Sequence, residues 1–240
     1  MEHANNKNII LLMMGGCGSR IGAPLPKQFI EIKNKPIFSY ILEGLEHLDC
    51  IDDIIIVVHK DWTTYVENWC KNSNFQKVYA VVSGGATRSE SVLNGLIKAK
   101  EFAYDDDVIM MFDTTHPYID KKGIEELILA IKECGGGTLG QRQYDTCYRI
   151  DSNDMLQEVI PRQYVVSGAS PEGFTFKIIY DIYTKASKEE LESMTSAGAI
   201  ALAHNVKMKI CTLNTLNLKI TYPNDLVLLE SIIDLNFKGE

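Results

Sequence analysis

A chain of 240 residues is long enough for one well-packed domain with a small appendage and too short for two full domains. Its 45% hydrophobic and 23% charged residues exclude a disordered or low-complexity chain, and no apolar run is long enough to span a bilayer. The formal net charge of −8 argues against a nucleic-acid partner, which calls for a basic face. The opening MEHANNKN lacks the basic segment and apolar core of a secretory signal, so the cytoplasm is the expected compartment. Six cysteines are scattered without a CxxC pair, which fits reduced thiols better than disulfides or a zinc site.

Residues 9–14 (IILLMM) read as a buried strand, followed directly by GGCGSRIGAPLPKQF. Gly15, Gly16 and Gly18 can turn the backbone and present bare N–H groups to an anion, while Arg20 and Lys27 supply positive charge. The glycines at 16, 18 and 22 give GxGxxxG rather than the dinucleotide spacing GxGxxG, and Pro24 and Pro26 block an immediate helix. A nicotinamide-dependent oxidoreductase is therefore disfavoured, and the Walker lysine spacing is absent too. The segment reads as a loop able to fold over a nucleoside triphosphate. Cys17 lies within it, but nothing in the sequence requires a thiol nucleophile.

A helix is predicted over residues 36–48, then strands over 53–59, 78–83 and 107–112 alternating with helices over 62–71 and 87–102. The runs IIIVV and VIMM are apolar without alternation, as in strands covered on both faces. The fold class is thus α/β, a doubly wound, mostly parallel, Rossmann-like sheet, with residues 1–240 forming one domain. From Gly135 the pattern changes to short β-like runs and turn residues, read as an inserted β-arm at about residues 141–167. Such an arm cannot bury both faces within one small domain, so a homodimer is expected. Helices are predicted to resume over 173–186 and 188–204, followed by a strand over 206–212 and a last helix after Pro223.

Three segments carry chemistry beside the glycine loop. SGGATRSESVLNGL gathers Gly85, Arg88 and Ser91 at a helix start, where they could read a nucleotide or serve only as a helix cap. FDTTHPYI sets Asp113 at a strand's carboxyl end, suited to one magnesium ion or to capping the next turn; His116 reads as a turn residue or substrate contact. LNLKITYPNDL puts Lys219 in a short buried strand, where it needs a phosphate or a carboxylate partner.

In this order the motifs, with Asp145–Thr146, resemble those of a cytidylyltransferase family that makes CDP-linked polyols. Its two branches use 2-C-methyl-D-erythritol 4-phosphate and D-ribitol 5-phosphate. The resemblance implies that Arg20 and Lys27 stabilise the α-phosphorus of CTP with help from Lys219, and that Asp113 holds Mg2+. It further implies that Gly15, Gly16, Gly85 and Ser91 hold the cytosine, while Thr146 and Arg162 bind the acceptor, Arg162 across the dimer. Two departures bear on the acceptor: His116 stands where the family usually has arginine, and GASPE (Gly168 to Glu172) stands where it has GQTPQ. Thr215 replaces an acidic residue typical of the methylerythritol branch, and PLPKQF resembles the ribitol branch. The expected activity is therefore transfer of CMP from CTP to a polyol phosphate, ribitol 5-phosphate first and methylerythritol 4-phosphate as the alternative. A catalytically silent nucleotide-binding paralogue is the further alternative.

Overall fold

The computed structural model describes residues 6–16, 22 and 25–236, with side chains as far as residue 233. In chain order the strands begin with β1 (Asn8–Met14), β2 (Glu31–Ile32), β3 (Lys35–Pro36), β4 (Asp53–Val58), β5 (Val78–Ser83) and β6 (Val108–Asp113). They continue with β7 (Gly136–Arg142), β8 (Cys147–Ile150), β9 (Leu156–Ile160), β10 (Val166–Thr175) and β11 (Met208–Thr212). The helices are α1 (Ile37–Glu46), α2 (Thr63–Asn72), α3 (Arg88–Ala99), α4 (Lys121–Cys134), α5 (Phe176–Lys185), α6 (Lys188–Ser193), α7 (Ala197–Ala203) and α8 (Pro223–Asn236).

Seven strands form one sheet in the order β11-β7-β10-β6-β1-β4-β5. β10 is antiparallel to β6 and β7, and the remaining pairings are parallel. The doubly wound, mostly parallel α/β sheet expected from the apolar runs is the architecture observed. Alternate residues of β1 show why the runs lack alternation: Ile10, Leu12 and Met14 face one core, with α1, α2 and α4, while Ile9, Leu11 and Met13 face the other, with α3, α5 and α7. Each fully buried aliphatic side chain contributes about 1.5–3 kcal/mol, so the centre of the sheet is the most stable part of the molecule.

Several boundaries differ from the sequence reading. α4 has no counterpart there, although Ile124, Leu127, Ile128 and Ile131 sit at helical spacing and are buried on β7 and β11. It is capped by Asp120, which accepts from Gly123 N, and ends at Gly135 with φ 92°. The helix predicted to start at residue 173 starts at Phe176, because Gly173, Phe174 and Thr175 complete β10 against β6. The helix predicted over 188–204 is two, α6 and α7, separated by extended Met194 and restarted by Ser196, whose side chain accepts from Ala199 N. Residues at both ends of the non-helical stretch after Gly135 belong to the main sheet as β7 and β10, where tight packing around Gly137, Gly140 and Gly173 leaves no room for a Cβ. Between them β8 and β9 form a separate antiparallel hairpin.

A third, smaller cluster of Ile32, Ile37, Leu218, Ile220, Leu229 and Ile233 fastens the segment before α8 to the β2–β3 hairpin and α1. The hairpin turns through Lys33 and Asn34, both at positive φ, as a two-residue connection requires. No helix among the described residues is long and apolar enough to cross a membrane.

Candidate active site

The strand order reverses between β1 and β6, and the crevice beyond their carboxyl ends is where open α/β sheets bind ligands. Two cavities open there. One, of about 410 Å³, is lined by Gly15, Gly16, Lys27, Gly85 and Ser91. The other, of about 800 Å³, is lined by His116, Gly168, Ser170 and Glu172. Arg88, Asp113 and Lys219 line both and mark the seam between them.

The smaller cavity is held by backbone capture. Gln28, almost fully buried in a 3-10 turn over Lys27–Phe29, donates from Nε2 to Met14 O at 2.8 Å and to Gly16 O at 3.0 Å. Phe29 beside it stacks on Trp62 at 4.1 Å and meets Phe38 edge to face, so the end of the loop is anchored in the core. Thr114 donates to Met13 O at 3.0 Å, fixing β1 against the turn after β6. Sequence reasoning missed Gln28 and Thr114 as site residues: a side chain whose work is to hold a carbonyl leaves no spacing signature. Gly15 and Gly16 do not occupy the left-handed region that Gly22 does at φ 70°. A Cβ at Gly16 would meet nothing within 4 Å, so what these two glycines leave is open space at the cavity wall. Gly18, Arg20 and Cys17 lie outside the described residues.

At the start of α3, Ser91 is buried and its hydroxyl is spent within the turn. It accepts from Gly85 N at 3.0 Å and donates to Thr87 O at 2.8 Å. Thr87 caps Glu90 N, and Glu90 returns a carboxylate oxygen to Ala86 N. Ser91 therefore shapes the Gly85 turn, leaving backbone rather than its hydroxyl to face the cavity. A Cβ at Gly84 would lie 2.8 Å from the same hydroxyl, which explains the glycine pair.

At the seam, Asp113 ends β6. Its Oδ2 is 2.8 Å from Lys219 Nζ, and its Oδ1 accepts from Thr115 Oγ1 at 2.9 Å and Thr115 N at 3.3 Å. Asp113 thus caps its turn, as one sequence reading had it, and it lines the same cavity as Gly15 and Gly16. Burial alone would raise its pKa, but Lys219's charge and hydrogen bond outweigh that and, with His116 and Thr115, hold it down to about 2. Lys219 lies in irregular chain rather than a strand, and buried Leu218 and Ile220 on either side fix its position. Ile220 N bonds to Thr115 O, and Ile220 O accepts from Lys27 Nζ at 2.8 Å, which brings both predicted lysines to one cavity.

His116 lies in the wall of the larger cavity. Desolvation, only partly opposed by Asp113 and reinforced by Lys219 and Lys27, lowers its pKa to about 4, so it is a neutral imidazole at pH 7. Glu172 lies opposite on β10, with Oε1 accepting from Ala197 N at 3.0 Å and Oε2 from Gly198 N at 2.7 Å. Arg88 Nη2 is 3.6 Å from Glu172 Oε1. Ser170 accepts from Asp113 N at 3.0 Å, tying the two walls together.

Thr146 and Arg162 are not brought to either cavity within this chain. Both are exposed near the β8–β9 hairpin, where Arg162 donates to Tyr144 O. Among the described residues no three His, Cys, Asp or Glu side chains cluster as a metal site. Asp113 alone fits magnesium, which can take one carboxylate and fill its remaining positions with phosphate oxygens and water.

A family model described as 2-C-methyl-D-erythritol 4-phosphate cytidylyltransferase (IspD) matches residues 9–235. A protein named 2-C-methyl-D-erythritol 4-phosphate cytidylyltransferase from Clostridium novyi is 32% identical over 231 residues, covering 95% of this chain and 97% of that protein. One named ribitol-5-phosphate cytidylyltransferase from Streptococcus agalactiae serotype Ia is 28% identical over 228 residues, covering 95% of each. Among solved structures, a 4-diphosphocytidyl-2C-methyl-D-erythritol synthase superposes with TM-score 0.78 at 23% identity, covering 97% of this chain and 100% of that one. Another, from Anaerococcus prevotii, gives 0.78 at 20% identity over 95% of this chain and 99% of that one, and both support the fold alone. By the span of the family model and the identity to its relatives, the chain belongs to the 2-C-methyl-D-erythritol 4-phosphate cytidylyltransferase (IspD) family of nucleotidyltransferases.

Proposed function

We propose that this protein transfers CMP from CTP to a polyol phosphate, D-ribitol 5-phosphate first, releasing pyrophosphate and a CDP-alditol. The observation that carries the reading is the pair of cavities sharing Arg88, Asp113 and Lys219: one for a nucleotide, one for an acceptor, with cations and a carboxylate where they meet. The acceptor's phosphate oxygen attacks the α-phosphorus of CTP, and the bond to pyrophosphate breaks. Such a transfer needs positioning and charge neutralisation rather than a covalent nucleophile. Lys27 and Lys219 stabilise the charge gathering on the α-phosphate, a role the family resemblance gives to Arg20 as well, and the backbone at Gly15, Gly16 and Gly85 faces the nucleotide. A triphosphate entering the smaller cavity competes with Asp113 for Lys219, exchanging an internal ion pair for a productive one. Magnesium held by Asp113 would neutralise the triphosphate oxygens.

Thr215 and PLPKQF favour the ribitol acceptor, whereas the higher identity to a methylerythritol enzyme favours the other branch. The neutral His116 and the Gly168–Glu172 wall are where the choice is made. The protein works as a homodimer in the cytoplasm, where CTP is available. The hairpin supports the dimer, since Tyr148, Ile150, Leu156 and Val159 are each more than half exposed. A second subunit covering that face would carry Arg162 and Thr146 towards an acceptor cavity.

The test is pyrophosphate release from CTP and magnesium with ribitol 5-phosphate, other pentitol phosphates, glycerol 3-phosphate and methylerythritol 4-phosphate, beside molar mass by light scattering. Ribitol 5-phosphate is expected to give the highest kcat/KM, on a dimer. A higher value with methylerythritol 4-phosphate overturns the acceptor assignment. Tight CTP binding with no release for any acceptor makes the protein a silent paralogue.

A further inference from the structure

We propose that Glu172 is a positioning residue that holds Arg88 at the seam, so that Arg88 receives the phosphate monoester of the acceptor. The inference rests on the transfer reading above and deepens it. Three observations meet here. Arg88 lines both cavities from the first turn of α3, so its guanidinium stands where two phosphates must approach each other. Glu172 is its partner at 3.6 Å and is itself fixed, with two backbone amides of the α7 start on its two oxygens and its side chain only 13% exposed. Gly198 makes that fixation possible, because a Cβ there would come 3.0 Å from Glu172 Oε2.

The chemistry follows from the donor count. A guanidinium carries five N–H donors in a rigid plane, and Glu172 engages a single nitrogen. At 3.6 Å the carboxylate attracts the guanidinium by charge without taking up a hydrogen bond, which leaves its donors for an anion. A glutamine at 172 would offer one acceptor oxygen instead of two and turn an NH2 towards a backbone N–H. It would lose one of its two bonds to α7 and its charge attraction for Arg88.

The experiment compares the wild type with Glu172→Gln, Arg88→Lys and the double variant, measuring kcat and KM separately for acceptor and CTP. Glu172→Gln is expected to raise acceptor KM about tenfold and shift CTP KM less than about threefold, with Arg88→Lys showing the same asymmetry. The double variant is expected to be no worse than the poorer single one, because both act through one contact. Losses that multiply in the double variant, or CTP and acceptor KM rising together with a fall in Tm, would show Glu172 to be only the cap of α7 and overturn the proposal. If Glu172→Gln does not fold, Glu172→Asp enters the same comparison.

If the wild type turns over no polyol phosphate, the transfer reading fails on its own. Calorimetric titration with ribitol 5-phosphate and inorganic phosphate then decides the role of Glu172. Binding by the wild type that both variants weaken equally supports it, and binding that is absent, or equal in all, overturns it.

Discussion

The two cavities are built by opposite means. The smaller takes its walls from β1, the turn before α3 and the 3-10 turn at Lys27, which are held by hydrogen bonds between Gln28, Thr114 or Ser91 and the backbone. The larger is held by side-chain charge, Glu172 on Arg88 and on the start of α7. A wall made of backbone is hard to vary without breaking the sheet, whereas a wall of side chains can be retuned one residue at a time. On the proposed function, that difference puts nucleotide recognition in the rigid half and acceptor choice in the adjustable one.

The largest effect should come from the seam itself. Lys219→Ala is expected to lower kcat by about 10²–10³ while CTP binding changes far less, as for a charge used mainly in the transition state. Equal losses in both would make Lys219 a binding residue and weaken the contrast between the halves. Next is Gln28→Leu, which leaves the Met14 and Gly16 carbonyls unpaired. Chemical denaturation should show a loss of about 1–3 kcal/mol, accompanied by a higher CTP KM and an unchanged acceptor KM.

On the adjustable side, His116→Arg should change acceptor KM several-fold, in a direction set by the acceptor, and leave CTP KM within about twofold. A comparable change in CTP KM would mean that the two cavities are not separable.

The smallest effect is on pH dependence. Without metal or substrate, His116 faces Asp113, Lys219 and Lys27 and has a folded-state pKa near 4, below its unfolded value of about 6.5. A lowered pKa means that the unfolded chain binds the proton more readily. The stability this residue contributes is therefore complete above pH 6.5 and is lost as pH falls towards 4. The Tm of the wild type should fall more steeply across that window than the Tm of His116→Asn; parallel curves would show that the imidazole is solvated.

The central sheet was legible because β1, β4 and β6 are continuous apolar runs that only a doubly covered strand tolerates. So were Asp113 and Lys219, since a charge set among Phe112, Leu218 and Ile220 calls for a partner. The start of α5 was not. Gly173, Phe174 and Thr175 suit a strand or a helix, and only antiparallel pairing with Val108, Ile109 and Met110 decides. Residues 188–204 hid a break at extended Met194, after which Ser196 caps α7 and Glu172 holds its first amides from a strand distant in sequence. Gln28 escaped notice, and Glu172 stood out only as the end of GASPE and not for its contacts, because their partners are carbonyls and amides, which no side-chain spacing reveals. α4 carried its signal plainly in Ile124, Leu127, Ile128 and Ile131, and period counting alone finds it.

The bond from Lys27 to Ile220 spans 193 residues. On the ribosome, the glycine loop and most of the sheet leave the exit tunnel long before the segment that completes their cavity. Lys27 has no Ile220 carbonyl to meet, and Asp113 no Lys219, until α8 follows and brings Leu229 and Ile233 to close the small cluster. A nascent chain can therefore fold its scaffold early while the cavity at Lys27 and Asp113 stays incomplete until Lys219 and Ile220 arrive.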